Sequence, residues 1–127
     1  MGAKVPLQVG LVGTGYAAKL RAETLQSEAR SHLVAVAGHA PEKTQEFAQN
    51  YQALALDSWQ ELVERPDLDL VVICTINRDH GAIARAALEA GKHVVVEYPL
   101  ALEPTAAEAL IALAQKREKL LHVEHIE

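Results

Sequence analysis

The residues that could do chemistry stand directly after short apolar runs. The first group follows Gln8–Val12 and reads Gly13-Thr14-Gly15-Tyr16-Ala17-Ala18, a Gly-x-Gly-x-x-Ala pattern. Gly13 suits a tight turn out of a strand. Gly15, with no side chain, lets a pyrophosphate come close to the backbone. Ala18 is small enough for a new helix to pack on that strand. The phosphates would face the free N–H groups and the positive dipole end of the helix that opens near Tyr16. The same spacing also makes ordinary strand-to-helix turns, so its meaning depends on the groups that follow.

The second group is Ala37-Gly38-His39-Ala40-Pro41-Glu42-Lys43, about where a dinucleotide site carries an acid for the ribose hydroxyls. No carboxylate occupies the strand end. His39 and Lys43 are candidates to face a 2′-phosphate, which leans the reading towards NADP(H) with NADH weaker. The alternative is two solvated side chains beside a permissive site. The third group is Thr75-Ile76-Asn77-Arg78-Asp79-His80. Asn77 or Asp79 can cap the following helix. Thr75 and Asn77 would lie against the ribose and nicotinamide, with His80 facing the site's mouth or simply solvated. The fourth is Glu97-Tyr98-Pro99, where an apolar run ends at a carboxylate. Glu97 would project over the nicotinamide end, or merely pair with a cation.

Other reactive residue types carry less. In Leu121–Glu127, strand alternation puts His122 and Glu124 on one face and His125 on the other, which argues against a metal site. The single Cys74 excludes an internal disulfide and reads as a small core residue.

These groups require strands to deliver them. Apolar β-rich runs occupy 7–12, 33–37, 70–74, 93–96 and 120–123, with a weaker one at 53–56. Helix-compatible segments occupy 16–29, 41–51, 59–65, 79–90 and 105–116. The strands are nearly continuous in Val, Leu and Ile, as in sheets buried on both faces. The alternation calls for right-handed crossovers and an α/β Rossmann fold, a doubly wound parallel six-stranded sheet in the order 3-2-1-4-5-6. Pro41 suits a first helical position, Asp57 or Ser58 a cap, and Gly91 a left-handed helix end.

The 127 residues form one domain with a net charge of -5 and no basic cluster, which disfavours a nucleic-acid partner. There is no apolar stretch of membrane-spanning length and no signal pattern, so the expected setting is cytoplasmic.

The first and third groups, with Ala90-Gly91-Lys92-His93-Val94-Val95-Val96-Glu97-Tyr98-Pro99-Leu100, resemble the N-terminal domain of the glucose-fructose oxidoreductase / inositol dehydrogenase superfamily. That superfamily usually has Glu-Lys-Pro where this chain has Glu97-Tyr98-Pro99. The Tyr, together with residues 120–127, resembles its biliverdin-reductase branch, particularly the cyanobacterial type. The resemblance implies hydride transfer from NADPH to the central methine carbon of a linear tetrapyrrole, biliverdin, giving bilirubin. It implies that His80, Glu97 and Tyr98 lie near the reaction, with His93 more distant. It also implies a second α/β domain forming the substrate wall, so that residues 1–127 would be the cofactor half and inactive alone. A sugar or polyol dehydrogenase domain and a non-enzymatic nucleotide-binding module are the alternatives.

Overall fold

The apolar runs become strands, and the central ones bury both faces. The computed structural model describes residues 6–75 and 77–124, Asn77 by its backbone alone. Six strands, β1 (Leu7–Val12), β2 (Ser31–Ala37), β3 (Leu54–Leu56), β4 (Leu70–Ile73), β5 (His93–Glu97) and β6 (Leu121–Glu124), form one sheet. Their order is β3-β2-β1-β4-β5-β6 and every pairing is parallel. The helices are α1 (Tyr16–Ser27), α2 (Pro41–Asn50), α3 (Trp59–Glu64), α4 (His80–Glu89) and α5 (Pro104–Arg117). A single 3₁₀ turn, Asn77–Asp79, precedes α4.

Two cores sandwich the sheet. Val9, Leu11, Val36 and Val72 pack with Ala18 and Ala22 of α1 and Phe47 of α2. Val12, Ile73, Val94 and Val96 pack on the other face with Leu62, Ile83, Leu88 and Leu110 of α3, α4 and α5. Val9 and Leu11 thus face one core and Val12 the other, as period-two side chains must. Each fully buried Val or Leu contributes about 1.5–3 kcal/mol, which makes the central strands the stable platform.

The expected order and strand positions hold, and only element ends move. α1 stops at Ser27 rather than 29, because Glu28 turns the chain and its carboxylate accepts from Arg30. β5 runs through Glu97 itself. Ser58 caps α3 by accepting from the Glu61 N–H at 3.2 Å, while the Glu61 carboxylate accepts from the Asp57 N–H. Gly91 follows α4 at φ +83°, the left-handed end expected of it.

Candidate functional site

The turn after β1 shows why glycine stands at two positions for two reasons. Gly13 has φ +122°, and a Cβ there would strike the Cys74 carbonyl of the neighbouring strand end. Its N–H donates to the Ala37 carbonyl at 2.8 Å, locking the turn to β2. Gly15 is ordinary extended backbone at the start of α1, and a Cβ there would meet nothing within 4 Å. The open space lies where a pyrophosphate would approach. No side chain caps α1, and its first turn carries no acid, so its leading N–H groups remain for an anion. Ala18 is fully buried and Tyr16 is exposed.

From this turn a groove of about 430 Å³ runs past Thr14, His39, Lys43 and Thr75. It meets a cavity of about 280 Å³ that shares His39 and Thr75 and is otherwise lined by Gly38, Asp57, Ser58, Trp59 and Asp79, among others. Both lie beyond the carboxyl ends of β1, β2 and β4, at the switch point of the sheet, where such folds bind ligands. His39, Lys43 and Thr75 therefore stand in one depression with Gly13, Gly15 and Tyr16. The start of α3 was not singled out in sequence. The sequence marked only its cap, Asp57 or Ser58.

Two expectations change here. The strand end lacks an acid, but Asp57 and Asp79 enter the cavity from other segments. His39 Nε2 lies 3.6 Å from the Asp79 carboxylate, so His39 is shared with an acid. Asp79 makes no side-chain cap to α4, because its carboxylate faces His39 instead. The side chain of Asn77 lies outside the described residues.

His80 does not face the mouth of the site. It is 1% exposed, with Nδ1 2.8 Å from the Pro99 carbonyl and Nε2 3.0 Å from the Thr75 carbonyl. α4 begins at His80 itself, which turns the ring inward. The ring staples the loop after β4 to the loop after β5.

Glu97, the last residue of β5, is 9% exposed. Arg21 of α1 donates from Nε to Glu97 Oε2 at 2.8 Å. The Cys74 thiol lies 3.8 Å from the same oxygen. Among the described residues no hydrogen bond reaches Oε1. One carboxylate oxygen is clamped and the other is not. Burial opposes the Arg21 charge, but the Glu97 hydrogen bond and the Glu97 and Glu124 charges hold the guanidinium above its ordinary value. Burial first, then the Glu97 charge, pushes the Cys74 thiol up to about 12, so it stays protonated.

Tyr98, 62% exposed, lies on an apolar depression with Pro99, Leu100, Leu102, Pro104 and Val123. Tyr98 is thus exposed, whereas His80 and Glu97 are buried. His93 opens β5 at the amino end of the strand, opposite the end that carries Glu97, and its Nδ1 accepts from the Leu120 N–H at 3.0 Å. His122 Nε2 pairs with Glu124 Oε1 at 3.1 Å on one face, while His125 lies outside the described residues. Among the described residues no group of three metal-ligating side chains assembles.

A parallel doubly wound sheet with a phosphate-ready turn at its switch point defines a dinucleotide-binding oxidoreductase domain. The chain belongs to the oxidoreductase family with an NAD-binding Rossmann fold, whose profile matches residues 7–125. Among its relatives is the biliverdin reductase of Synechocystis sp. PCC 6803, solved in complex with biliverdin and NADP+. The two are 52% identical with a TM-score of 0.91, over 94% of this chain and 38% of that one. Mouse biliverdin reductase A is 34% identical over 94% of this chain and 39% of its own length. A dTDP-3,4-didehydro-2,6-dideoxy-alpha-D-glucose 3-reductase of Saccharopolyspora spinosa is 31% identical over 95% of this chain and 37% of its own length. The chain thus spans well under half the length of these relatives.

Proposed function

We propose that this chain is the NADP(H)-binding domain of a reductase that converts biliverdin to bilirubin in the cytoplasm. The observation that carries the reading is the 52% identity to a reductase solved with both compounds. The local geometry is compatible with it. Open space at Gly15, the uncapped start of α1 and the positive φ of Gly13 fit a bound pyrophosphate.

Gly13, Gly15, Tyr16 and Ala18 would shape the pyrophosphate seat, and Thr75, with Asn77, the ribose side. Lys43, which pairs with no carboxylate among the described residues, and His39 would meet the 2′-phosphate. NADPH supplies the hydride that reaches the central methine carbon, a proton reaches a pyrrole nitrogen, and NADP+ and bilirubin result. In the reading, Glu97 orients the pigment by accepting pyrrole N–H groups at Oε1, and the exposed Tyr98 flanks it. A second domain, implied by the superfamily resemblance, would form the other wall and supply further residues. Where sugar dehydrogenases of the superfamily place an ammonium, this chain has the Tyr98 phenol, which disfavours polyol oxidation.

The test is reduction of biliverdin by the complete protein with NADPH, followed as loss of pigment absorbance, alongside sugar and polyol oxidation with NADP+. Bilirubin formation without polyol oxidation is expected. Polyol oxidation with no action on biliverdin would overturn the reading.

A further inference from the structure

We infer that Arg21 is a positioning residue for Glu97, tying the helix that receives the cofactor phosphates to the carboxylate that meets the substrate. The inference rests on the proposed role of Glu97 and assigns a residue to its control. Arg21 and Glu97 are 76 positions apart in sequence, yet their Nε and Oε2 atoms lie 2.8 Å apart. Arg21 Nη1 also lies 3.8 Å from Glu124 Oε2. Glu97 and Glu124 are register partners on neighbouring parallel strands, so both carboxylates leave the sheet on the same face. Like charges side by side repel, and a cation between them removes the repulsion.

The contacts are one-sided in a useful way. Arg21 and the Cys74 thiol both engage Oε2, which leaves Oε1 without a hydrogen bond among the described residues. Arg21 Nη2 is buried and has no partner among the described residues. A guanidinium free to choose its rotamer would hydrate that N–H. The two carboxylates hold it in place instead. Arg21 stands six residues beyond Gly15 on α1, between the buried Ala18 and Ala22 and therefore toward the sheet.

With Gln at position 21, Glu97 and Glu124 face each other with no cation between them, and the Glu97 carboxylate swings toward water. A misplacement of about 1 Å can cost 10²-fold in rate. The complete protein is assayed with NADPH and biliverdin in single turnover, with separate NADPH titrations, for Arg21→Gln, Arg21→Lys, Glu97→Gln and the double variant Arg21→Gln/Glu97→Gln. The expected rate loss for Arg21→Gln is roughly 10- to 100-fold, with NADPH affinity changed less than about threefold. Arg21→Lys recovers part of the rate. The double variant is no slower than Glu97→Gln alone, because Arg21 acts through that carboxylate.

Arg21→Gln at full rate, or a double variant as slow as the product of the two single losses, overturns the inference while leaving the Glu97 reading intact. Glu97→Gln at full rate overturns both. Should Arg21→Gln fail to fold, Arg21→Lys and Arg21→Met carry the same cycle. Equal losses for Lys and Met that track their melting temperatures would reduce Arg21 to a structural clasp and overturn its positioning role.

Discussion

Gly13 and Gly15 look alike in the sequence but face opposite constraints. Gly13 is required by the protein: its φ of +122° and the Cys74 carbonyl leave no place for a side chain. Gly15 has open space around it, so the domain itself tolerates more there. Gly15→Val is therefore expected to keep the circular-dichroism spectrum and most of the stability while abolishing NADPH binding, since the branched side chain fills the phosphate's approach. Gly13→Val is expected to destabilise the fold by at least about 1–3 kcal/mol in urea unfolding, from backbone strain before any clash is counted. Normal NADPH binding by folded Gly15→Val would move the site elsewhere. The fourfold grouping of chemical residues at strand ends was legible because turns and caps are local. The Arg21–Glu97 pair was not, because its partners come from α1 and β5 and only the packing of that helix on the sheet brings them together. His80 was misread for a similar reason. A helix-start histidine has no sequence mark saying which way its ring turns, and here two backbone carbonyls claim it.

At the scale of elements, the strands were readable because burial on both faces makes them continuous apolar runs, and the parallel order follows from the alternation with helices. The ends of elements depend on single side chains. β6 is one such case. Its approach to β5 is fixed partly by the Leu120 N–H donating to His93 Nδ1, which must carry a lone pair. Burial first, then the nearby Lys119 charge, lowers the His93 pKa below 6.5, with Asp69 opposing. The unfolded chain therefore takes up a proton at this site at higher pH than the folded one. Stability from this group is present above pH 6.5 and declines as pH falls from there through the lower folded value. Denaturant unfolding measured from about pH 7 down to about pH 5 should show a larger loss for the wild type than for His93→Asn, whose side-chain oxygen can accept the same N–H without titrating. Parallel profiles for the two proteins would mean that His93 does not contribute to the acid sensitivity of the β5–β6 edge.

For the whole molecule, the depression at the switch point matters because distant segments share it. The turn after β1, the segment after β2, the start of α3 and the loop after β4 all line the joined groove and cavity. A ligand seated there binds only the folded chain and stabilises all of them together, by about 2.7 kcal/mol at a concentration a hundred times its dissociation constant. The size of that effect with two cofactors reports how the cations and acids of the site balance. Lys43 is exposed and its ammonium pairs with no carboxylate among the described residues, whereas His39 is shared with Asp79. Lys43 should therefore carry most of the preference for a 2′-phosphate. At equal concentrations NADPH is expected to raise the melting temperature more than NADH. Lys43→Ala should reduce the NADPH shift and leave the NADH shift nearly unchanged, because only NADPH carries the phosphate that Lys43 would meet. His39→Ala should have a smaller effect on the difference, since the His39 ring is already shared with the Asp79 carboxylate. Equal shifts for the two cofactors in the wild type would mean that Asp57 and Asp79 offset the cations and that the site does not select on the phosphate.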